Sequence, residues 1–282
     1  MAQQQANHPA VDRQAQVNAA VVGMAAANTA QLWPQVDWES PAAARAVRTL
    51  YGQIVNQFGQ SAAAVAAQSY DEIRAEATPP AATFTARMAE PLPPVMLDKI
   101  VTSAFLGGAQ PDEHAPPVSE RTTSDLPIDQ MVPTRLDGQL QRLVLQPGRE
   151  TTAQNVAKDP AQPRYVRVPR GAKTCAFCVM MASRELGPIE GPQKRSFGGY
   201  KAENVKFDEE TQRLHVFARN GEKYHDHCDC EAIPIFPGMS AAEVSPNFDD
   251  CQDMYYKATA DAGSHSNTTK ILASMRKLHG LK

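Results

Sequence analysis

Four of the chain's five cysteines stand in two short clusters, Thr174-Cys175-Ala176-Phe177-Cys178 and Tyr224-His225-Asp226-His227-Cys228-Asp229-Cys230, and this grouping constrains the fold more than any other feature. Zinc takes four ligands in a tetrahedron, prefers thiolate and imidazole, and is commonly met by a Cys-x-x-Cys knuckle whose backbone N–H groups support the sulfur charge. Cys175 and Cys178 have that spacing. The second cluster offers more donors than the two still needed: His225 and Cys228 form a His-x-x-Cys pair, and Cys228 and Cys230 a Cys-x-Cys pair that a tight turn can aim at one metal. The expected ligands are Cys175, Cys178 and Cys228, with Cys230 or His225 completing the set. His227 is the weakest candidate, because Cys228 and Cys230 already supply two ligands from one turn.

The same thiols have two other uses, as a pair of disulfides or as small buried apolar residues. Against cystine, Met1-Ala2-Gln3-Gln4-Gln5 leads into polar, alanine-rich sequence without the basic start and apolar core of a secretory signal. A reducing compartment is therefore expected, where close thiol pairs signal metal more often than cystine. Cys251 stands apart and is expected to be a free thiol.

A chain of 282 residues holds one large or two modest domains. Its 42% hydrophobic residues include only 6% aromatics and much alanine, so a thin core is expected. The net charge of −3 argues against a general nucleic-acid binder. No apolar run approaches the roughly eighteen residues of a membrane span, and the chain is expected to be soluble. Its 22 prolines predict extended connections between elements and not one compact globule.

Residues 1 to 32, rich in Ala, Gln and Asn, have helical propensity but only a loose apolar stripe of Val17, Val21, Val22 and Met24, and Trp33-Pro34 should end the helix. Ser40-Pro41 predicts a new start, followed by Val47, Leu50, Tyr51, Ile54, Val55 and Phe58 on one face. Gly59 is expected to interrupt this helix before Ala62 to Ala77 continue it. Met96, Leu97, Ile100, Val101 and Phe105 mark a further helix, and the polar stretch after it reads as a linker. Leu136, Leu140, Leu143 and Val144 predict a helix ended by Pro147-Gly148, with a short one following up to Asp159-Pro160. Arg164 to Arg170 predict a strand, Val179 to Leu186 a short helix, and Val205-Lys206-Phe207 with Leu214-His215-Val216-Phe217 a hairpin that delivers the second cysteine cluster. Ser245-Pro246 opens a helix with Met254 and Tyr255, and Thr268 to His279 form another, closed by Gly280.

The fold class expected is α+β: a mainly helical N-terminal half over 1–107, a linker or long loop over 108–128, a helical connector over 129–160, a small zinc-stapled hairpin module over 161–238 and a C-terminal helical tail over 239–282. With so few large side chains, the cysteine module is expected to depend on its metal for cohesion.

Catalytic patterns are missing. There is no His-Glu-x-x-His, no phosphate-binding Gly-x-x-x-x-Gly-Lys-Ser/Thr, no Gly-x-Ser-x-Gly elbow and no His-x-Glu upstream of the knuckle. A nuclease of the His-Asn-His type would use His225, Asp226 and His227 around a second metal, but no His or Asn follows at helical spacing to complete that site. Asp226 and Asp229 then read as turn residues, and no catalytic residue is assigned.

The run Arg167-Val168-Pro169-x-Gly171-Ala172-x-Thr174-Cys175-Ala176-Phe177-Cys178-x-Met180-Met181-Ala182-Ser183-Arg184, with Tyr224-His225-Asp226-His227-Cys228-Asp229-Cys230-x-x-x-Pro234 beyond it, resembles the Mu F-like head-morphogenesis proteins of tailed bacteriophages, particularly those of actinobacteria. The likeness covers residues 160 to 236, and the helical half only by architecture. It implies a minor capsid protein in the virion, assembled in the host cytoplasm, that meets the portal protein, the major capsid protein, its own copies or packaged DNA, and no membrane. It carries the motif positions onto Cys175, Cys178, His225, Cys228 and Cys230. Some proteins of this kind are labelled capsid maturation proteases, but no protease constellation accompanies the motif here.

Overall fold

The computed structural model describes residues 8–78, 83–106, 126–171, 174–183, 226–264 and 267–281, and the backbone of 205–208 and 213–216. Three long helices form the frame: α1 (Pro9–Leu32), α2 (Ala43–Ala77) and α4 (Ile128–Lys158), with the shorter α3 (Pro94–Leu106) against α2 and α4. The cysteine-bearing half adds β1 (Arg164–Val168), α5 (Ala176–Ala182), β2 (Val205–Asp208), β3 (Arg213–Val216) and β4 (Glu231–Ile235). Helices α6 (Phe248–Ala262) and α7 (Thr268–His279) close the chain. The class is α+β, as the sequence predicts. Most of the expected linker, and the residues on either side of the β2–β3 hairpin, lie outside the described residues. Among the described residues no helix is long and apolar enough to cross a membrane.

Helix α1 starts with Pro9 in its first turn, where a missing N–H costs nothing, and His8 accepts the Ala10 N–H through Nδ1. Trp33-Pro34 ends it in a short 3₁₀ turn, as expected. Its buried stripe is Val11, Gln14, Asn18, Val21, Ala25, Thr29 and Leu32, steps of three and four residues in which nearly half the positions are polar. An apolar-only reading finds a loose pattern there because the seam is partly made of amides and a hydroxyl. Asn18 donates to Glu231 of β4 at 2.6 Å, so this helix is docked by a specific bond to the cysteine-bearing half.

Helices α2 and α4 overturn two expected breaks. Helix α2 runs unbroken through Gly59, and α4 runs unbroken through Pro133 and Pro147-Gly148. Proline inside a helix removes one hydrogen bond and costs about 3 kcal/mol, so tertiary packing must offset it. The two helices run side by side in one direction, Gly59 by Pro147, Ala62 by Gly148 and Tyr70 by Asp159. A Cβ on Gly59 would lie 3.0 Å from the Pro147 ring, and one on Gly148 only 2.9 Å from the Ala62 carbonyl oxygen. The residues that look like helix breakers are the ones that let two backbones approach. Thr151 Oγ1 also donates to the Pro147 carbonyl at 2.8 Å.

Residues 83–93, ahead of α3, form neither helix nor strand, and side chains satisfy their backbone in place of a sheet. Asp71 accepts from the Ala86 N–H, Asn155 from Arg87, Thr151 from Ala89 and Asn56 from Leu92, at 2.8 to 2.9 Å. At the end of α4, buried Asp159 takes Arg74 through both oxygens, at 2.8 and 3.2 Å, and the Tyr70 hydroxyl at 3.1 Å. Burial, reinforced by Asp159, pushes the Tyr70 hydroxyl far above the phenol range, so it stays a donor.

Strands β1 and β4 pair antiparallel, Arg164 opposite Ile235 and Val168 opposite Glu231. Strand β1 lies where the sequence predicts it, but β4 was not expected; Pro234 obscures it. Strands β2 and β3 make the expected hairpin, Val205 opposite Val216, beside α4. Helix α7 ends on Gly280, whose φ of 62° is the left-handed conformation glycine tolerates.

Two hydrophobic clusters result. One holds the first half of α2, α3, the first half of α4 and the end of α1, including Tyr51, Leu97, Val101 and Leu136. The other unites Tyr70, Ile73 and Val156 of the frame with Val166, Phe177, Met180, Ile233, Phe236 and, from the C-terminal helices, Phe248 and Met275. The cysteine half is therefore built into the frame and shares its core, so metal is not its sole source of cohesion. The C-terminal helices pack on α5 of the same chain. Gly148→Val should lower stability by about 1–3 kcal/mol, read by urea unfolding, because its side chain would run into the Ala62 backbone, which cannot swing aside.

Candidate metal centre

Cys175 is the N-cap of α5, and its Sγ accepts the Cys178 N–H at 3.3 Å. The knuckle is thus the first turn of a helix, with Cys178 turned inward and buried. The partner cluster is a turn at Asp226-His227 leading through Cys228-Asp229-Cys230 straight into β4. These pieces meet: Cys178, Cys228 and Cys230 bring their Sγ atoms within 4.8 Å of one another, all buried, and Cys175 packs against them.

The sulfur separation excludes a disulfide and is compatible with a shared metal ion. Cys178 Sγ lies 3.7 Å from Cys228 Sγ. Four sulfurs at about 2.3 Å from a tetrahedral zinc are about 3.8 Å apart, whereas a disulfide requires about 2.05 Å. None of the five cysteines forms a disulfide, and Cys251 is buried away from the cluster in α6. Hydrogen bonds from Cys178 and Cys230 hold Cys228 far below the ordinary thiol range, and the charges of Arg149 and Arg167 act in the same direction. Cys178 is pushed well up by its hydrogen bonds with Cys175, Cys228 and Cys230 and by burial. A cysteine binds metal as its thiolate, and Arg149 and Arg167 lie where their charge favours that form at Cys228.

His225 lies outside the described residues. His227, exposed and left-handed with φ 59°, sets its ring against Gly138 of α4, where a Cβ would sit 3.3 Å from Nε2. Its N–H donates to the Gly138 carbonyl at 3.0 Å, and Asp226 pairs with Arg142 at 3.3 Å.

Helix α4 supplies what sequence reading missed. Residues Gly138, Arg142, Arg149 and Thr152 recur at helical spacing and meet the chain from Asp226 to Ala232. Arg149 Nε donates to the Cys230 carbonyl at 2.8 Å and Nη2 to the Cys228 carbonyl at 2.9 Å, and Thr152 Oγ1 donates to Ala232 at 3.0 Å. Carbonyls of alternate residues, from Cys228 and Cys230 to Ala232 in β4, are thus closed by one helix face. The only advance signal is that spacing, invisible until β4 is recognised. Arg167, fully buried on β1, lies over the Phe177 ring at 5.7 Å.

A second polar network ties the cluster to α1. Glu231, next to Cys230, accepts from Asn18 and from Arg170 Nε at 2.9 Å, and Arg170 also reaches the Val11 carbonyl at 3.3 Å. Burial pushes the Glu231 carboxyl up, with Arg170 and Asn18 opposing. Asp229 accepts the Arg170 N–H at 3.4 Å, and its carboxylate fills the space where a side chain on Gly171 would stand.

The profile of a family described as VG15 protein matches residues 5–258. The chain belongs to the VG15 protein family. The VG15 match runs from α1 into α6 and so takes in the frame and the sulfur cluster together. The Gene 15 protein of Mycobacterium phage L5 is 27% identical over 150 residues, covering 43% of this chain and 49% of that protein. The match thus spans about half the length of this curated relative, and VG15 stands as a phage protein family. No solved structure matches.

Gly171→Ala should destabilise the chain by about 1–3 kcal/mol, measured by thermal unfolding, because the new methyl displaces the Asp229 carboxylate. In an Asp229→Ala background the same change should cost much less, a double-mutant cycle that isolates this contact.

Proposed function

We propose that this chain is a structural protein of a tailed-phage head, of the Mu F-like head-morphogenesis type, whose cysteine cluster holds one structural zinc. The observation that carries the metal reading is the buried sulfur group at tetrahedral edge length, 3.7 Å between Cys178 and Cys228, inside a fold that belongs to a phage family. Cys175, Cys178, Cys228 and Cys230 are the proposed ligands. Cys175 is included because its sulfur already accepts the Cys178 amide, as a knuckle ligand's does, and His225 is the alternative fourth ligand. A set of four thiolates leaves no position open for water, which favours a structural over a catalytic ion.

A non-enzymatic role also has support from the residues a nuclease would use. Asp226 and His227 are engaged in seating their turn on α4, through Arg142 and the Gly138 carbonyl. The partners proposed are the portal protein, the major capsid protein and further copies of this chain, with packaged DNA as a contact and the virion as the location. Helix faces supply the contact surfaces, and the metal keeps the sulfur end in shape through assembly.

Elemental analysis of the purified full chain should find about one zinc per chain, and Cys178→Ser or Cys228→Ser should abolish it. A chelator should lower the melting temperature of the wild type but not of these variants. Absence of any bound metal from protein purified under reducing conditions would sink the zinc reading. Mass spectrometry of purified particles of a phage encoding this chain should detect it as a low-copy component. Its absence from the particles would overturn the virion reading. Metal-dependent cleavage of DNA, lost in His227→Ala with zinc retained, would replace the structural role by an enzymatic one.

A further inference from the structure

Arg149 stands where three constraints meet. It is buried at 4% exposure, two residues beyond Pro147 in α4. Its Nε and Nη2 bind the carbonyls of Cys230 and Cys228, and its Nη1 reaches back to the Arg142 carbonyl at 3.3 Å. We propose that Arg149 is a positioning residue of the metal centre, whose planar fork sets the spacing of the Cys228 and Cys230 backbone so that both sulfurs face the knuckle. The inference rests on the metal reading of the cysteines and adds the device that orients two of them.

The argument is geometric. Cys228 and Cys230 are two residues apart, their sulfurs lie within 4.8 Å of each other, and their carbonyls are held by one common donor. A guanidinium presents its N–H groups as a rigid fork, which an ammonium cannot reproduce. The fork is anchored at its other end on α4, across the proline, so the turn is oriented by the frame before any metal arrives. Thr152 provides the internal contrast: it holds the Ala232 carbonyl on the same strand edge, but past the ligands. Groups that orient ligands from outside the coordination sphere are typically worth about tenfold to hundredfold in metal affinity.

The test is a chelator competition for Zn2+ on the full chain, with Co2+ absorption as a second readout of ligand geometry. Arg149→Met should weaken Zn2+ binding about tenfold to hundredfold and shift the Co2+ ligand-field bands. Arg149→Lys, which restores charge but not the fork, should stay weaker than wild type with the same shifted bands. Thr152→Val should bind as the wild type does while melting earlier. Wild-type affinity and spectrum in Arg149→Lys would overturn the role of the fork, and Thr152→Val as weak as Arg149→Met would reduce it to general destabilisation. Should Arg149→Met fail to fold, Arg149→Lys carries the test alone. A wild-type chain that binds neither ion would sink the metal reading itself, a result distinct from any of these.

Discussion

The structure depends on one face of α4 meeting the carbonyl edge that runs from Cys228 into β4. Arg149 and Thr152 close the carbonyls of Cys228, Cys230 and Ala232, and Gly138 admits the turn that precedes them. An unpaired strand edge buried without partners costs about 1–3 kcal/mol for each group left unsatisfied. Here the helix replaces the missing neighbouring strand. The order of dependence is thus the reverse of a metal-nucleated module: the frame seats the cysteine turn, and the turn presents sulfur to the knuckle.

Polar residues do much of the joining. Asn18 and Arg170 converge on Glu231, next in sequence to Cys230, and the same Arg170 amide meets Asp229, next on the other side. Both residues flanking Cys230 are thereby tied to Arg170, and Glu231 is tied to α1 as well. Burying Glu231 is unfavourable for its ionised form, and the bonds from Arg170 and Asn18 only partly oppose that. Such networks specify one docking arrangement more than they add stability, which suits a junction between a helical frame and the cysteine-bearing turn.

Much of this was legible in the sequence. An apolar stripe located α3, stop signals located the ends of α7 and α1, and cysteine spacing brought remote thiols to one point. What failed shares a physical cause: residues were judged by their local effect while long-range packing decided the outcome. Pro147 and Gly148 break isolated helices, yet here they are the contact surface for Gly59 and Ala62. Gln14, Asn18 and Thr29 dilute an apolar stripe, yet they are buried. Strand β4 hid behind Pro234, and with it went the meaning of Arg149. A basic residue in a polar helix carries no local sign that it faces backbone carbonyls beside a sulfur cluster.

The close crossing of α2 and α4 has a mechanical consequence. Its residues are glycine, alanine and proline, and the two hydrophobic clusters lie on either side of it. The two ends of the molecule are fused by helices of 35 and 31 residues, beams roughly 50 Å long. Each cluster contains residues of both helices, so α2 and α4 cannot scissor about the glycine contact without disrupting packing on both sides of it. The pair therefore joins the two clusters as a single stiff girder.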